Sequence, residues 1–293
     1  VRKGAVRTLP LALSLASLLA GVASDSASAR WERISQTPTN SAPYFACPSR
    51  ARVARCQLIE DPTRGVHARG PLPAGAITKG PVQEISPATT GSGVEGGYAP
   101  ADLQSAYRLP SSSAGTGQTV AVVDAFDDPK AEADLNVYRA EYGLGACTHE
   151  SGCFRKVDQR GDNALPRSDR TWAREISLDL DMVSAICPSC HILLVEADNE
   201  DGANLAAGQQ AAVALGASEI SDSYEEPQTS EHAAAYDHPG VPIVVAAGDQ
   251  SYGVVSPAAS PHVIAVGGTS LVPAAGRRGW EETVWHSEGG AGT

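Results

Sequence analysis

"QTVAVVDAF", residues 118–126, is a run of small and β-branched apolar residues that ends close to an acid. A run this apolar has no polar face to turn to water, so it fits a strand covered on both sides. A helix opened by Asp128 and Pro129 follows, with Leu135, Tyr138 and Tyr142 on one face. The alternation then repeats. "HILLVEA" (191–197) reads as a strand, "LAAGQQAAVALGA" (205–217) as a helix, "SEISDSY" (218–224) as a strand and "SEHAAAYDH" (230–238) as a helix. "VPIVVAAGD" (241–249) and "HVIAVGGTSL" (262–271) read as two further strands, and 143–170 as a long irregular segment. This order predicts an α/β fold, a doubly wound and mostly parallel sheet with helices on both faces. Ligands of such sheets sit beyond the carboxyl ends of the strands, which points to Asp124, residues 196–198, residues 221–225 and Asp249.

Upstream the composition changes. Arg2, Lys3 and Arg7 precede the apolar stretch "LPLALSLASLLAGVA" (9–23), and "ASA" (27–29) supplies small residues for cleavage after Ala29. Residues 1–29 therefore read as a secretory signal, too short and too broken by serines for a membrane anchor. Residues 30–97 are rich in Pro, Ser, Thr, Gly and Arg, a propeptide-like or loose region closed by the linker "ATTGSGVEGG" (88–97). The folded domain is expected over 98–293. The 293 residues carry a net charge of −12 with 42% hydrophobic content. That acidity argues against nucleic acid or an anionic membrane as partner and fits a secreted protein that must stay soluble, and nothing in the sequence suggests more than a monomer.

The six cysteines form three close pairs, Cys47/Cys56, Cys147/Cys153 and Cys187/Cys190. An even count in an exported chain favours disulfides. "CPSCH" (187–191) is also compatible with half a zinc site or a redox pair, but no second CxxC exists and the oxidising compartment favours a structural bridge.

"TWAREISLDLDM" (171–182) reads as a helix with three acids in seven residues. At 100° per residue, Arg174, Ser177, Asp181 and Ser184 form a polar face, with Asp181 a solvated residue beside Arg174. Glu175 and Asp179 fall about 40° apart, inside the arc of Trp172, Met182 and Ile186. Two like charges at i,i+4 repel even on an exposed helix, and under an apolar roof one of them holds a proton. That predicts a proton-transfer site. In "VVAAGDQSYG" (244–253), Asp249 leaves a strand among small neighbours that allow close approach, or else bonds its own turn.

Together these stretches resemble the sedolisin family, the serine-carboxyl peptidases with a subtilisin-like fold. The resemblance covers roughly 98–293 and rests on "EISLD" (175–179), "AAGDQSYG" (246–253), "PAASPHVIAVGGTSL" (257–271) and "GWEETVW" (279–285), with "GYAPADLQSAYRLP" (97–110) as the domain entry. It implies an endopeptidase acting on peptide or protein substrates at acid pH. Glu175 matches the general base, Asp179 the acid that orients it and Asp249 the aspartate of the oxyanion hole. Ser221, Ser223 and Tyr224 match the strand that lines the substrate cleft, where Glu225 and Glu226 stand in place of the usual glycine.

The family's nucleophile lies after the tryptophan hairpin, in a Gly-Thr-Ser turn opening a buried helix, and "GGAGT" (289–293) ends before one. Ser270 continues an apolar strand and Ser287 reads as a loop serine. The expectation is a fragment without its serine, inactive as given, with the alternative of a catalytically dead peptide-binding module. Calcium is implied for the full-length protein, with no ligands assigned here. Competing readings fail on residues. None of His67, His149, His191, His232, His238, His262 and His286 has a subtilisin-like context, and no GxGxxG or HExxH occurs. "VDAFDD" has the acids of a receiver domain, but export argues against one and leaves Asp124 and Asp127 as cap and loop acids.

Overall fold

The computed structural model describes residues 44–45, 53–56, 59–60, 91–93, 97–227, 232–249 and 253–284. The expected signal (1–29), Cys47, Ser287 and residues 289–293 lie outside the described residues.

In chain order the elements are β1 (Tyr44–Phe45), β2 (Arg55–Cys56), β3 (Ile59–Glu60), α1 (Pro100–Tyr107), β4 (Thr119–Ala125), α2 (Ala131–Glu141), β5 (Phe154–Asp158), α3 (Arg170–Ile186), β6 (His191–Ala197) and α4 (Gly202–Ala214). There follow β7 (Glu219–Asp222), β8 (Tyr224–Glu225), a 3-10 turn (Ala233–Tyr236), β9 (Ile243–Ala246), β10 (Ile264–Val266), β11 (Thr269–Pro273) and β12 (Trp280–Val284). Six strands form one sheet in the order β10-β9-β7-β4-β6-β5, every pair parallel. The fold is the expected α/β arrangement, with β4 at the centre where the chain's direction of winding reverses.

The two faces follow from alternation along β4. Val122 packs with Leu135 of α2, Ile176 and Leu180 of α3, and Ile192 and Leu194 of β6. Ala121 and Val123 turn the other way, toward Ala206, Ala211 and Ala212 of α4. Each large apolar side chain so buried contributes about 1.5–3 kcal/mol. Helix α4 lies close enough that a Cβ on Gly208 would stand 2.8 Å from Val123 Cγ1, so only glycine fits there.

Several elements differ from the sequence expectation. The irregular stretch 143–170 contains β5, an edge strand whose Phe154 and Val157 point inward while Arg155 is exposed. Charges in an edge strand mask the apolar signal. "HVIAVGGTSL" is two strands. β10 ends before Gly267–Gly268, and β11 then pairs antiparallel with β12, so Ser270 sits exposed opposite Thr283. "SEISDSY" also divides at Ser223, because β8 leaves the main sheet to pair antiparallel with β2. The expected helix over 230–238 is only the short 3-10 turn. Helix α2 buries Leu135 and Arg139, whereas Tyr138 and Tyr142 stack on each other, half-buried, with ring centroids 4.8 Å apart.

The disulfides Cys147–Cys153 and Cys187–Cys190 are formed. Cys56 is disulfide-bonded as well, and its expected partner, Cys47, lies outside the described residues. Among the described residues no helix is long and apolar enough to cross a membrane.

Candidate active site

Helix α3 positions the first two candidates. Asp169 caps it by accepting from the backbone N–H groups of Thr171 (2.9 Å) and Trp172 (3.2 Å), satisfying donors that the first turn leaves open. Pro188 and the Cys187–Cys190 bridge stand at its far end.

The polar face anticipated for this helix is not a solvent face. Ser184 is fully buried and accepts from Arg139 Nη1 (2.5 Å), while Ser177 Oγ donates to Asp128 Oδ2 (3.2 Å). Asp181 is half-buried instead of solvated, and burial, helped by Asp134, pushes its pKa up to about 8. Helix α2 covers this side, so serine hydroxyls and an arginine are satisfied inside. Leu178 and Met182, by contrast, are exposed.

Glu175 and Asp179 are buried as the periodicity predicts, with 2% and 9% of their surface exposed. Asp179 Oδ1 accepts from Ser223 Oγ (2.9 Å), and its Oδ2 has no hydrogen-bond partner among the described residues. Burial raises the Asp179 pKa to about 7, against the lowering by the Ser223 bond.

Asp249 follows β9 through Gly248, whose φ of +114° gives the sharp exit that a residue with a Cβ would resist. It is 8% exposed, and Oδ2 has no partner among the described residues. Burial pushes its pKa up to about 7, with Arg55 pulling down and Glu225 pushing up.

These side chains share one cavity of about 1160 Å³. Glu175 and Asp179 come from a helix, Ser221 and Ser223 from the strand β7 and its end, and Asp249 from a loop; all five line it. Apolar side chains make up much of the rest of the lining, including Leu109, Leu178, Met182 and Val244. The site thus sits at the strand ends, where the fold rule put it.

Two further acids stand near the site without lining its cavity, and the sequence marked them only as strand-end positions. Asp124, read as a cap or loop acid, ends β4 fully buried, and neither carboxyl oxygen has a partner among the described residues. Burial raises its pKa well above normal, and Asp179, Asp222 and Glu196 add to the shift. Period two supplies the signal: Asp124 shares the face of Val122, under α3. Asp222 is also buried, both oxygens accepting from Gln209 Nε2 at 2.8 Å, and burial pushes its pKa well up.

The same alternation corrects Tyr224. Ser221 and Ser223 face the cavity, whereas Tyr224 is fully buried on the other side, its hydroxyl 3.0 Å from Gln209 Nε2 and 3.1 Å from the Tyr236 hydroxyl. It packs with Phe126 and Trp172 and does not line the cavity.

The acids make a stability prediction. An unfolded aspartate ionises near pH 4, whereas Asp179 and Asp249 keep their protons to about pH 7 in the fold. Between those values the folded state binds more protons than the unfolded one, so stability is greatest at the acid end and falls as pH rises through the window. Each group contributes a slope of about 1.4 kcal/mol per pH unit there. Thermal melts from pH 4 to 7 should show Tm falling, and the double variant Asp179→Asn, Asp249→Asn should flatten the curve. A wild-type Tm that rises over this range would refute the assignment.

No family model matches the chain. It is 32% identical over 214 residues to kumamolisin from Bacillus sp. (strain MN-32), a match covering 64% of this chain and 37% of kumamolisin. The chain therefore spans little more than a third of the length of that curated relative. Among solved structures it is similar to Pseudomonas sedolisin, a serine-carboxyl proteinase complexed with two molecules of pseudo-iodotyrostatin, with a TM-score of 0.51. That likeness, at 22% identity over 64% of this chain and 58% of sedolisin, speaks for the fold. The sequence is thus similar to a peptidase of the sedolisin family, and the parallel-sheet architecture gives the chain a subtilisin-like α/β fold.

Proposed function

We propose that this chain carries the acid half of a secreted serine-carboxyl endopeptidase that cleaves peptide bonds by acyl transfer at acid pH. The observation that supports it is the convergence of Glu175 and Asp179 from helix α3 and Asp249 from the loop after β9 on one cavity. In this reading Glu175 takes the proton of a serine hydroxyl as it attacks a peptide carbonyl, then returns it to the leaving amine. Asp179, steadied by Ser223, shares a hydrogen bond with Glu175 and tunes its proton affinity. Asp249 donates a hydrogen bond to the developing oxyanion, which it can do only while protonated. A pKa of about 7 keeps it so throughout the acid range.

The nucleophile is assigned to none of the described serines. Ser270 is exposed on β11, and Ser223 is engaged with Asp179. The resemblance puts the serine in the stretch after the β11–β12 hairpin. Calcium, which the resemblance also implies, finds no group of three or more His, Cys, Asp or Glu among the described residues able to hold it, and no step is derived through it.

The test is the hydrolysis of an internally quenched peptide, between pH 3 and 8, by the secreted enzyme extended to include the serine that the resemblance puts after the β11–β12 hairpin. The expected profile is highest in the acid range and falls toward neutrality as Asp249 ionises. A rate unchanged between pH 4 and pH 8 would rule out this proton arrangement. Peptide binding without turnover at any pH would favour the inert binding module instead.

A further inference from the structure

Strand β2 stands apart from the rest of the architecture. It comes from the Pro- and Arg-rich region that precedes the domain, and it joins no strand of the main sheet. It lies antiparallel on β8, Arg55 opposite Glu225 and Cys56 opposite Tyr224. β8 itself begins one residue after Ser223, which lines the cavity and holds Asp179. The edge that β2 covers therefore begins one residue beyond the cavity lining, with Tyr224 turned to the far side.

An open strand edge beside a cavity is a template for an extended peptide, with backbone pairing for affinity and alternate side chains for specificity. The segment seated there has the features of such a peptide. Alternation sends Arg55 one way and Ala54 and Cys56 the other. Ala54 and Cys56 are buried in a pocket of Ala125, Phe126, Trp172, Ala197, Leu205 and Tyr224. Arg55, 6% exposed, makes an ion pair through Nε with the Glu225 carboxylate. The backbone N–H of Ala54 donates to the Glu200 carbonyl at 2.7 Å. The pattern is small, basic, small, with each side chain received by a matching surface.

We propose that Glu225 is a specificity-determining residue, selecting an extended peptide with a basic side chain opposite it and small residues on either side, and that residues 54–56 occupy the place of that peptide. This deepens the peptidase reading and rests on it. The acid in place of the family's usual glycine gives the edge a charge to recognise. Asp249 feels both members of the pair, Arg55 lowering and Glu225 raising its pKa.

Three internally quenched peptides, identical except for a central Ala-Arg-Ala, Ala-Ala-Ala or Ala-Glu-Ala, test the proposal on the secreted enzyme and on Glu225→Gln and Glu225→Lys, each variant checked for folding by circular dichroism. The wild type should cleave the arginine peptide with kcat/KM at least about tenfold above the glutamate peptide. Glu225→Gln should level the three and Glu225→Lys should reverse them; if the lysine variant does not fold, the levelling by glutamine decides. Arg55→Glu sets like charges against Glu225, loosens the seated strand and should raise kcat/KM for the arginine peptide severalfold. Equal cleavage of all three peptides by the wild type would overturn the specificity role while leaving the peptidase reading intact. An unchanged rate in Arg55→Glu would overturn the claim that 54–56 holds the peptide's place. If no peptide is cleaved at any pH, the peptidase reading fails, and anisotropy of fluorescein-labelled Ala-Arg-Ala and Ala-Glu-Ala peptides decides the rest. Tighter binding of the arginine peptide, lost in Glu225→Gln, upholds the proposal; equal binding overturns it.

Discussion

Glu175→Gln is expected to lower kcat for peptide hydrolysis by about 10³-fold, within the range a positioned general base supplies, with KM nearly unchanged. Glutamine has the size and shape of glutamate but no site that accepts the hydroxyl proton in the transition state. The position is nearly inaccessible to water, with 2% of its surface exposed, so a neutral amide there removes a buried acid without opening a void. Folding should survive, and a Tm equal to or above the wild type would assign the loss to chemistry. Turnover retained within tenfold would remove Glu175 as the base.

The second large effect separates a donor from a charge. Asp249→Ala removes the proposed oxyanion donor and should cost about 3–4 kcal/mol of transition-state stabilisation, a fall of about 10²–10³-fold in kcat. Asp249→Asn keeps an N–H where the protonated carboxyl had its O–H, so acid-range activity should stay within about tenfold of wild type. Because the amide does not ionise, the decline that Asp249 imposes near pH 7 should disappear from the profile. The comparison is a pH–rate profile on all three proteins. An asparagine variant as slow as the alanine variant at acid pH would exclude the donor role.

How much of this was legible depended on what surrounds each residue. The buried strand β4, the helix α3 and the inward turn of Glu175 and Asp179 were readable because periodicity and apolar context agree. The polar stripe of α3 misled for a definite reason. Ser177, Asp181 and Ser184 look solvated in isolation, and only the packing of α2, with Arg139 reaching Ser184, makes that side an interior. β5 was hidden because an edge strand tolerates Arg155 and Lys156. Asp124 was visible to alternation but was discounted, since a fully buried acid without a partner among the described residues is costly unless it holds a proton. The pairing of β2 with β8 joins residues 170 positions apart, and no local pattern announces it.

Helix α3 is pinned at both ends, by the Asp169 cap and by the sulfur bridge that follows Cys187. Its rotational phase is thereby locked, and Glu175 and Asp179 ride on it like two teeth of one key. Loss of a single residue between the cap and Glu175 would swing both teeth by about 100° in unison. Asp249, hung from a different part of the scaffold, would stay where it is. The chemistry is thus guarded by segment length as strictly as by residue identity, and drift in this lineage should tolerate substitutions along the helix far more readily than gaps.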